Sequence, residues 1–197
     1  MPDEMNQLDK QKEIDFWFNT NELGINFKHK NYYEFFELDT INGNCLEIGC
    51  GGSPFTTYSN NSNVNLTIVD PIINDLILLT KYSHIQKYSL YSCNFLEFNT
   101  NSKFNNIVCL NVLDHFGESH IQFLSRIKAM LKTEGKLFLY YDIRTEYSDN
   151  HYSINHDDII SFLHQNFVVF KESFDINPKH LNWSTVYKSY RGILINK

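Results

Sequence analysis

The sequence lacks the two features that send a chain to or across a membrane. No apolar run approaches the roughly 18 residues of a membrane-spanning helix. Residues 1–7 carry neither the basic start nor the apolar stretch of a secretory signal. We therefore expect a cytoplasmic protein without a membrane partner.

An excess of basic charge is missing as well. The 197 residues contain 17 Lys and Arg against 23 Asp and Glu, which gives a formal net charge of -6 at pH 7. Binding to nucleic acid depends mainly on clustered Lys and Arg. The sequence therefore predicts a small-molecule substrate and no nucleic-acid partner.

Cysteine occurs only four times and in no metal-binding pattern. There is no C-x-x-C pair, and no His stands at zinc-finger spacing. Each cysteine lies in or beside an apolar run, at Cys45, Cys50, Cys93 and Cys109. We expect four buried, reduced thiols and no metal site.

What is present is an alternation of strand and helix signals in a chain as long as one ordinary domain. With 42% hydrophobic and 20% charged residues, the composition is that of a globular protein. The alternation predicts an α/β fold with a mostly parallel sheet. Strands are predicted at residues 45–48, 64–70, 107–110, 136–141, 167–170 and 191–195, and helices at 8–18, 30–38, 76–79 and 121–131 and after the capping residue Asn155.

A glycine-rich loop follows the first predicted strand. Residues 46–52 read L-E-I-G-C-G-G, and such glycines let the backbone approach a ligand closely. Asp70 lies 21 residues after Gly49, near the interval of about 20 residues at which a second-strand carboxylate meets ribose hydroxyls. This pairing predicts a nucleotide-like ligand; the alternative is a tight turn without one.

Two common nucleotide patterns are absent from this loop. It has no Lys followed by Ser or Thr, as a phosphate-binding P-loop requires. A dinucleotide fingerprint needs Gly at position 54, where this chain has Pro54 after Ser53. ATP and NAD are therefore poorer candidates for the ligand.

With E-I-G-C-G at residues 47–51, the chain resembles the class I, Rossmann-like methyltransferases that use S-adenosylmethionine. Three later segments are similar to family motifs in the same order. Residues 93–98, C-N-F-L-E-F, resemble an adenine-contacting G-D-F-L-E-F, with Asn94 in place of Asp. Residues 104–115 resemble the fourth-strand motif F-D-x-I-x-x-x-N-V-L-E-H, and residues 131–137 a turn written L-K-P-G-G-x-L that here lacks the proline and the first glycine.

This resemblance implies a Rossmann-like, mostly parallel twisted sheet with helices on both faces, a three-layer sandwich. It implies S-adenosyl-L-methionine as cofactor and S-adenosyl-L-homocysteine as product. We expect residues 41–197 to form the methyltransferase domain and residues 1–40 a helical cap packed on it, within one globular domain. The residues that the matches assign to the cofactor are Glu47, Gly49, Cys50, Gly51, Asp70, Pro71, Asn94, Phe95, Asn111 and Val112.

Catalysis on a hydroxyl acceptor would be helped by a general base that removes its proton. The candidates are His115, Asp142 and His151, which lie after predicted strands or in a polar loop. Asp142 is alternatively a carboxylate paired with Arg144 or capping a turn, and His115 a wall of the site.

Several other side chains are candidates for the substrate side of the site. Trp17 and Phe18 are candidates for a lid, with helix packing on the sheet as the alternative. Tyr141 and Arg144 are candidates for orienting a polar acceptor.

The acceptor is suggested by a broader resemblance. The compact size, the C-terminal segment and the loop after Asp142 are similar to small bacterial enzymes that methylate sugars of surface polysaccharides. We therefore expect O-methylation of a sugar or a sugar-derived metabolite. The alternatives are N-methylation of a small amine and, from departures such as Ser53, Asn94 and Glu134, a cofactor-binding protein without catalysis. The oligomeric state stays open.

Overall fold

The computed structural model of the chain describes residues 7–19, 35–52, 54, 63–116, 119–144, 154–176 and 186–197. Within these residues the α-helices are α1 Gln7–Asn19, α2 Ile73–Leu76, α3 His120–Met130 and α4 His156–Asn166. The strands are β1 Gly43–Ile48, β2 Val64–Val69, β3 Ser89–Tyr91, β4 Phe104–Leu110, β5 Leu131–Arg144, β6 Phe167–Ile176 and β7 Val186–Asn196. Short 3₁₀-helices cover Leu38–Thr40, Thr80–Lys87 and Leu113–His115.

The chain forms two compact units, residues 1–102 and 103–197. The first unit contains three parallel strands in the order β3-β2-β1. Their pairing places Ile48 beside Val69, so β1 and β2 end at the same level. The side chains of Leu46, Ile48 and Ile68 are buried, as expected of parallel strands covered on both sides.

The second unit contains four strands in the order β4-β5-β7-β6. β4 and β5 are parallel, whereas β7 runs antiparallel to both of its neighbours. The last five residues of β4 are all buried, which explains its continuous apolar run. The predicted Rossmann-like α/β class with mostly parallel strands is confirmed.

Most predicted strands and helices exist, and several of their bounds differ. β4 and β5 begin earlier than predicted, at Phe104 and Leu131, and β5 continues to Arg144. Most of the helix predicted at 30–38 lies outside the described residues. The helix expected at 76–79 is wrong: α2 ends at Leu76. The helix expected to include Leu131 ends at Met130, where β5 begins. β6 and β7 are longer than the runs that predicted them, and β3 was not predicted.

Two local predictions can also be compared with the structure. The side chain of Asn155 caps α4 as predicted, accepting a hydrogen bond from the backbone amide of Asp158 over 3.4 Å. Three of the four free cysteines are buried, but Cys93 is partly exposed, because it follows the edge strand β3; the expectation of four buried thiols is wrong there. None of the described helices is long and apolar enough to cross a membrane.

Candidate functional site

The glycine loop after β1 has a backbone that glycine alone adopts at low cost. Gly49 has a φ of 64° and Gly51 a φ of 55°, both in the left-handed region. The amide of Gly49 donates to the carbonyl of Val69 over 2.9 Å, which ties the loop to the end of β2. The loop is therefore a tight turn that is bonded to the end of β2.

Asp70 stands at the end of β2 and is bonded to this loop. Its side chain is 4% exposed, and its two oxygens accept from the amides of Gly51 (2.8 Å) and Ile72 (2.9 Å). Burial raises the pKa of the carboxyl group, and the two amides oppose that rise. Each oxygen retains a second lone pair, so both can still accept a hydrogen bond from a ligand hydroxyl.

A second carboxylate, Glu47, lies close to the same loop. It is 1% exposed in β1. Burial, Asp70 and Glu47 together raise the pKa of the Cys50 thiol well above its usual value, so Cys50 is an unreactive thiol. Two buried carboxylates favour a ligand that carries positive charge.

Two aromatic side chains cover the consecutive glycines Gly51 and Gly52. A Cβ atom at Gly51 would overlap the indole of Trp17, and one at Gly52 would overlap the phenol ring of Tyr82. The two rings meet edge to face with centroids 6.4 Å apart. Trp17 therefore lies on the loop that the sequence assigned to the cofactor.

The segment assigned to adenine begins with a side-chain turn at Asn94. The amide oxygen of Asn94 accepts from the amide of Leu96 over 2.9 Å, and its carbonyl accepts from the amides of Glu97 and Phe98. Phe95 is 2% exposed. Asn94 therefore fixes the backbone of the turn at residues 94–98.

In the second unit, Asn111 follows β4 in an unusual conformation. Its φ is 61°, which side chains other than glycine rarely adopt. Its amide donates to the carbonyl of Tyr140 over 2.9 Å. Within the described residues its buried Oδ1 has no hydrogen-bond partner, a combination of strain and unmet bonding that is typical of functional positions.

His115 ends the 3₁₀-turn that follows Asn111. Its amide donates to the carbonyl of Val112 over 3.0 Å, and its side chain is partly exposed. Val112 and Asp114 are buried. Of these three side chains, that of His115 is the most exposed.

Asp142 lies inside β5, because the strand continues to Arg144. It is 1% exposed, and the hydroxyl of Tyr140 donates to it from the same face of the strand. Arg144, which the sequence offered as an ion-pair partner of Asp142, is the last residue of β5. Its side chain lies outside the described part of the chain. The third candidate base, His151, also lies outside the described residues.

Tyr141 points to the other face of β5 and is fully buried. Its ring stacks on Tyr190 at 5.2 Å, and its hydroxyl lies 2.9 Å from Nδ1 of His156. Burial raises the pKa of Tyr141 and lowers that of His156, so this hydrogen bond joins a neutral phenol to a neutral imidazole. His156 was not identified from the sequence, because nothing there reports this tertiary contact.

The described side chains contain no group of three or more His, Cys, Asp or Glu that is arranged to hold a metal ion.

Comparison with known proteins identifies the family. Residues 21–167 match the model of the family described as Methyltransferase domain, and the chain belongs to this family. No curated protein matches the chain significantly.

Solved structures share its fold. The N-methyltransferase NodS from Bradyrhizobium japonicum WM9, with S-adenosyl-L-homocysteine bound, has a TM-score of 0.71 at 17% identity over 96% of this chain and 97% of its own. The magnesium protoporphyrin IX methyltransferase from Synechocystis PCC 6803 has a TM-score of 0.67 at 13% identity over 98% and 96%. The 1,6-didemethyltoxoflavin-N1-methyltransferase from Burkholderia thailandensis has a TM-score of 0.66 at 13% identity over 96% and 85%.

These matches confirm the predicted class, a class I methyltransferase that depends on S-adenosylmethionine. The acceptor, the site residues and the cytoplasmic location stay predictions.

Proposed function

We propose that the glycine loop and Asp70 hold S-adenosylmethionine in the first unit. The observation that carries this proposal is the buried carboxylate of Asp70, hydrogen-bonded to the loop at Gly51 and with one lone pair left on each oxygen. Ribose hydroxyls are suited to these oxygens. The nearby carboxylate of Glu47 suits the positive charge of the cofactor's sulfonium.

The other assigned positions keep the cofactor roles that the family resemblance gives them. Gly49 and Gly51 allow the backbone to approach the cofactor closely. Cys50 lies between these two glycines, and Pro71 follows Asp70. Asn94 and Phe95 would present backbone groups to the adenine. Asn111 and Val112 stay assigned to the methionine end, where the buried oxygen of Asn111 is suited to accept from the amino group.

The acceptor is proposed to be a hydroxyl group of a small, sugar-derived molecule. When bound, the cofactor supplies a methyl group on a cationic sulfur. His115 is the proposed general base, because it is partly exposed next to Asn111 and Val112. It would take the hydroxyl proton as the oxygen–methyl bond forms.

The remaining candidate residues have secondary roles in this proposal. The buried Asp142 would orient Tyr140 by accepting a hydrogen bond from its hydroxyl. It would not contact the acceptor as a base. Trp17 would cover the cofactor loop, Phe18 stays a candidate for the lid, and Tyr141 would be held in place by its hydrogen bond to His156. Arg144 and His151 stay candidates for acceptor contact.

Single alanine variants of His115, Asp142 and His151 test the base assignment. We expect His115→Ala to lower turnover at least about tenfold while its affinity for S-adenosylhomocysteine is unchanged. Turnover would be measured with the best acceptor from a panel of sugars, nucleotide sugars and amines. Equal turnover in wild type and His115→Ala would exclude this base.

N-methylation of a small amine is the second candidate function. It is favoured by two of the similar structures, which are N-methyltransferases for their own substrates. An unprotonated amine needs no base, so turnover would then survive all three substitutions. Mass and NMR analysis of the product separate an O-methyl from an N-methyl group. Binding of cofactor with no transfer to any acceptor would favour the non-catalytic alternative.

A further inference from the structure

Tyr82 connects α1 to the glycine loop, and all of these residues lie in the first unit. The side chain is 2% exposed, and its ring fills the space beside Gly52. Its hydroxyl donates to the main-chain carbonyl of Trp17 over 2.7 Å. Because the indole of Trp17 lies on Gly51, this hydrogen bond fixes the residue whose ring covers the loop.

Trp17 is the aromatic residue through which α1 packs on the loop. Its neighbours Phe16 and Phe18 are 50% and 61% exposed. Lys10 adds an ion pair with Asp75 at 2.8 Å, but both side chains are 39% exposed, and exposed pairs of this kind contribute little. Trp17 and Tyr82 therefore join α1 to the glycine loop.

The hydroxyl of Tyr82 stays protonated, and so remains a hydrogen-bond donor, across the physiological pH range. Burial raises the pKa of Tyr82 to about 12, so the phenol keeps its proton. The acceptor is a main-chain carbonyl, which does not titrate. The hydrogen bond is therefore present throughout the physiological pH range and does not act as a pH switch.

We propose that Tyr82 is a positioning residue that holds α1 on the glycine loop and thereby slows release of the bound nucleoside cofactor. The inference rests on the proposed function, because it takes the cofactor to bind at this loop. Tyr82 acts through Trp17 and takes no part in methyl transfer. In a variant that lacks the Tyr82 hydroxyl, the ring still fills the space beside Gly52, but α1 loses its hydrogen bond at Trp17.

The test compares Tyr82→Phe with Tyr88→Phe, which removes a hydroxyl from a partly exposed ring just after the same 3₁₀-helix. Release of S-adenosylhomocysteine would be followed by stopped-flow fluorescence of Trp17, with Trp183 replaced by Phe in all proteins. Tyr82→Phe should raise the dissociation rate about threefold to tenfold, the effect of losing one neutral hydrogen bond. The association rate and the KM of the acceptor should not change.

Equal release rates in the two tyrosine variants would overturn the proposal while leaving the proposed function intact. A wild-type protein that does not bind S-adenosylhomocysteine would overturn both. If Tyr82→Phe does not fold, hydrogen exchange of the wild-type protein decides. Bound S-adenosylhomocysteine should slow amide exchange in α1 as well as in the glycine loop, because the helix is held on that loop. Slower exchange in the loop alone would overturn the proposal.

Discussion

At the scale of single residues, the buried carboxyl group of Asp70 links the proposed binding role to stability. Burial raises its pKa in the folded protein, and the amides of Ile72 and Gly51 reduce but do not reverse that rise. The folded protein therefore binds this proton more readily than the unfolded chain. The contribution of this carboxyl group to the free energy of unfolding therefore increases as pH falls through its pKa in the folded protein, and it is lost as pH rises.

Replacing Asp70 with Asn should reveal this linkage. The free energy of unfolding of the wild type, minus that of Asp70→Asn, should increase as pH is lowered from 8 toward 4, because only the wild type takes up the proton. Urea unfolding at a series of pH values measures this difference. Asp157→Asn, at an exposed carboxylate of α4, controls for the loss of one negative charge. A difference that decreases toward pH 4 would contradict the account.

The sequence predicts some of these residues and not others. Gly49, Gly51 and Asp70 are predictable because their spacing along the chain reflects a strand, a turn and a second strand. Tyr82 is not, because its partner Trp17 lies 65 residues away and no periodicity reports such a contact. Asn111 is predicted by its motif, but its strained φ and buried oxygen are visible only in the structure.

At the scale of elements, burial explains which predictions succeed. β1 and β4 contain mainly apolar runs and β2 alternates, and the burial of each strand matches its pattern. The three strands end directly before Gly49, Asp70 and Asn111. A helix was predicted through Leu76 to Leu79, but α2 ends at Leu76, and Leu78 is 81% exposed.

Irregular strands limit prediction in the second unit. The register of β6 against β7 shifts between Val169 and Lys171, which interrupts the alternation that would have marked the whole strand. A positive φ of 61° at Glu134 lies within β5, together with Gly135, whose Cβ would crowd the carbonyl of Lys132. The predicted turn before the fifth strand is thus an irregularity inside it.

The cap of α4 gives a prediction at this scale. Asn155→Ala removes the side-chain acceptor for the amide of Asp158 and should cost roughly 0.5–2 kcal/mol of stability. The melting temperature should fall by about 2–4 °C for each kcal/mol in a chain of this size. Ser161→Ala, at an exposed position of the same helix, is the control and should not lower the melting temperature. Equal melting temperatures in the two variants would show that the cap contributes nothing.

At the scale of the whole molecule, the sequence predicts the class better than the acceptor. The family match covers about three quarters of the chain, and it includes the loop, Asp70 and the segment at Asn111. These positions serve the cofactor that the class shares. Methyl transfer needs chiefly alignment of the acceptor with the methyl group and exclusion of water, so few residues of fixed type mark the acceptor side.

Titration of S-adenosylhomocysteine by calorimetry tests whether the glycine loop and Asp70 bind the cofactor. We expect one site per chain in the wild type and in the control Asp157→Ala. In Asp70→Ala, binding should be at least about tenfold weaker, because a buried charged acceptor is lost. Unchanged affinity in Asp70→Ala, or no binding to the wild type, would contradict a cofactor site built on the glycine loop and Asp70.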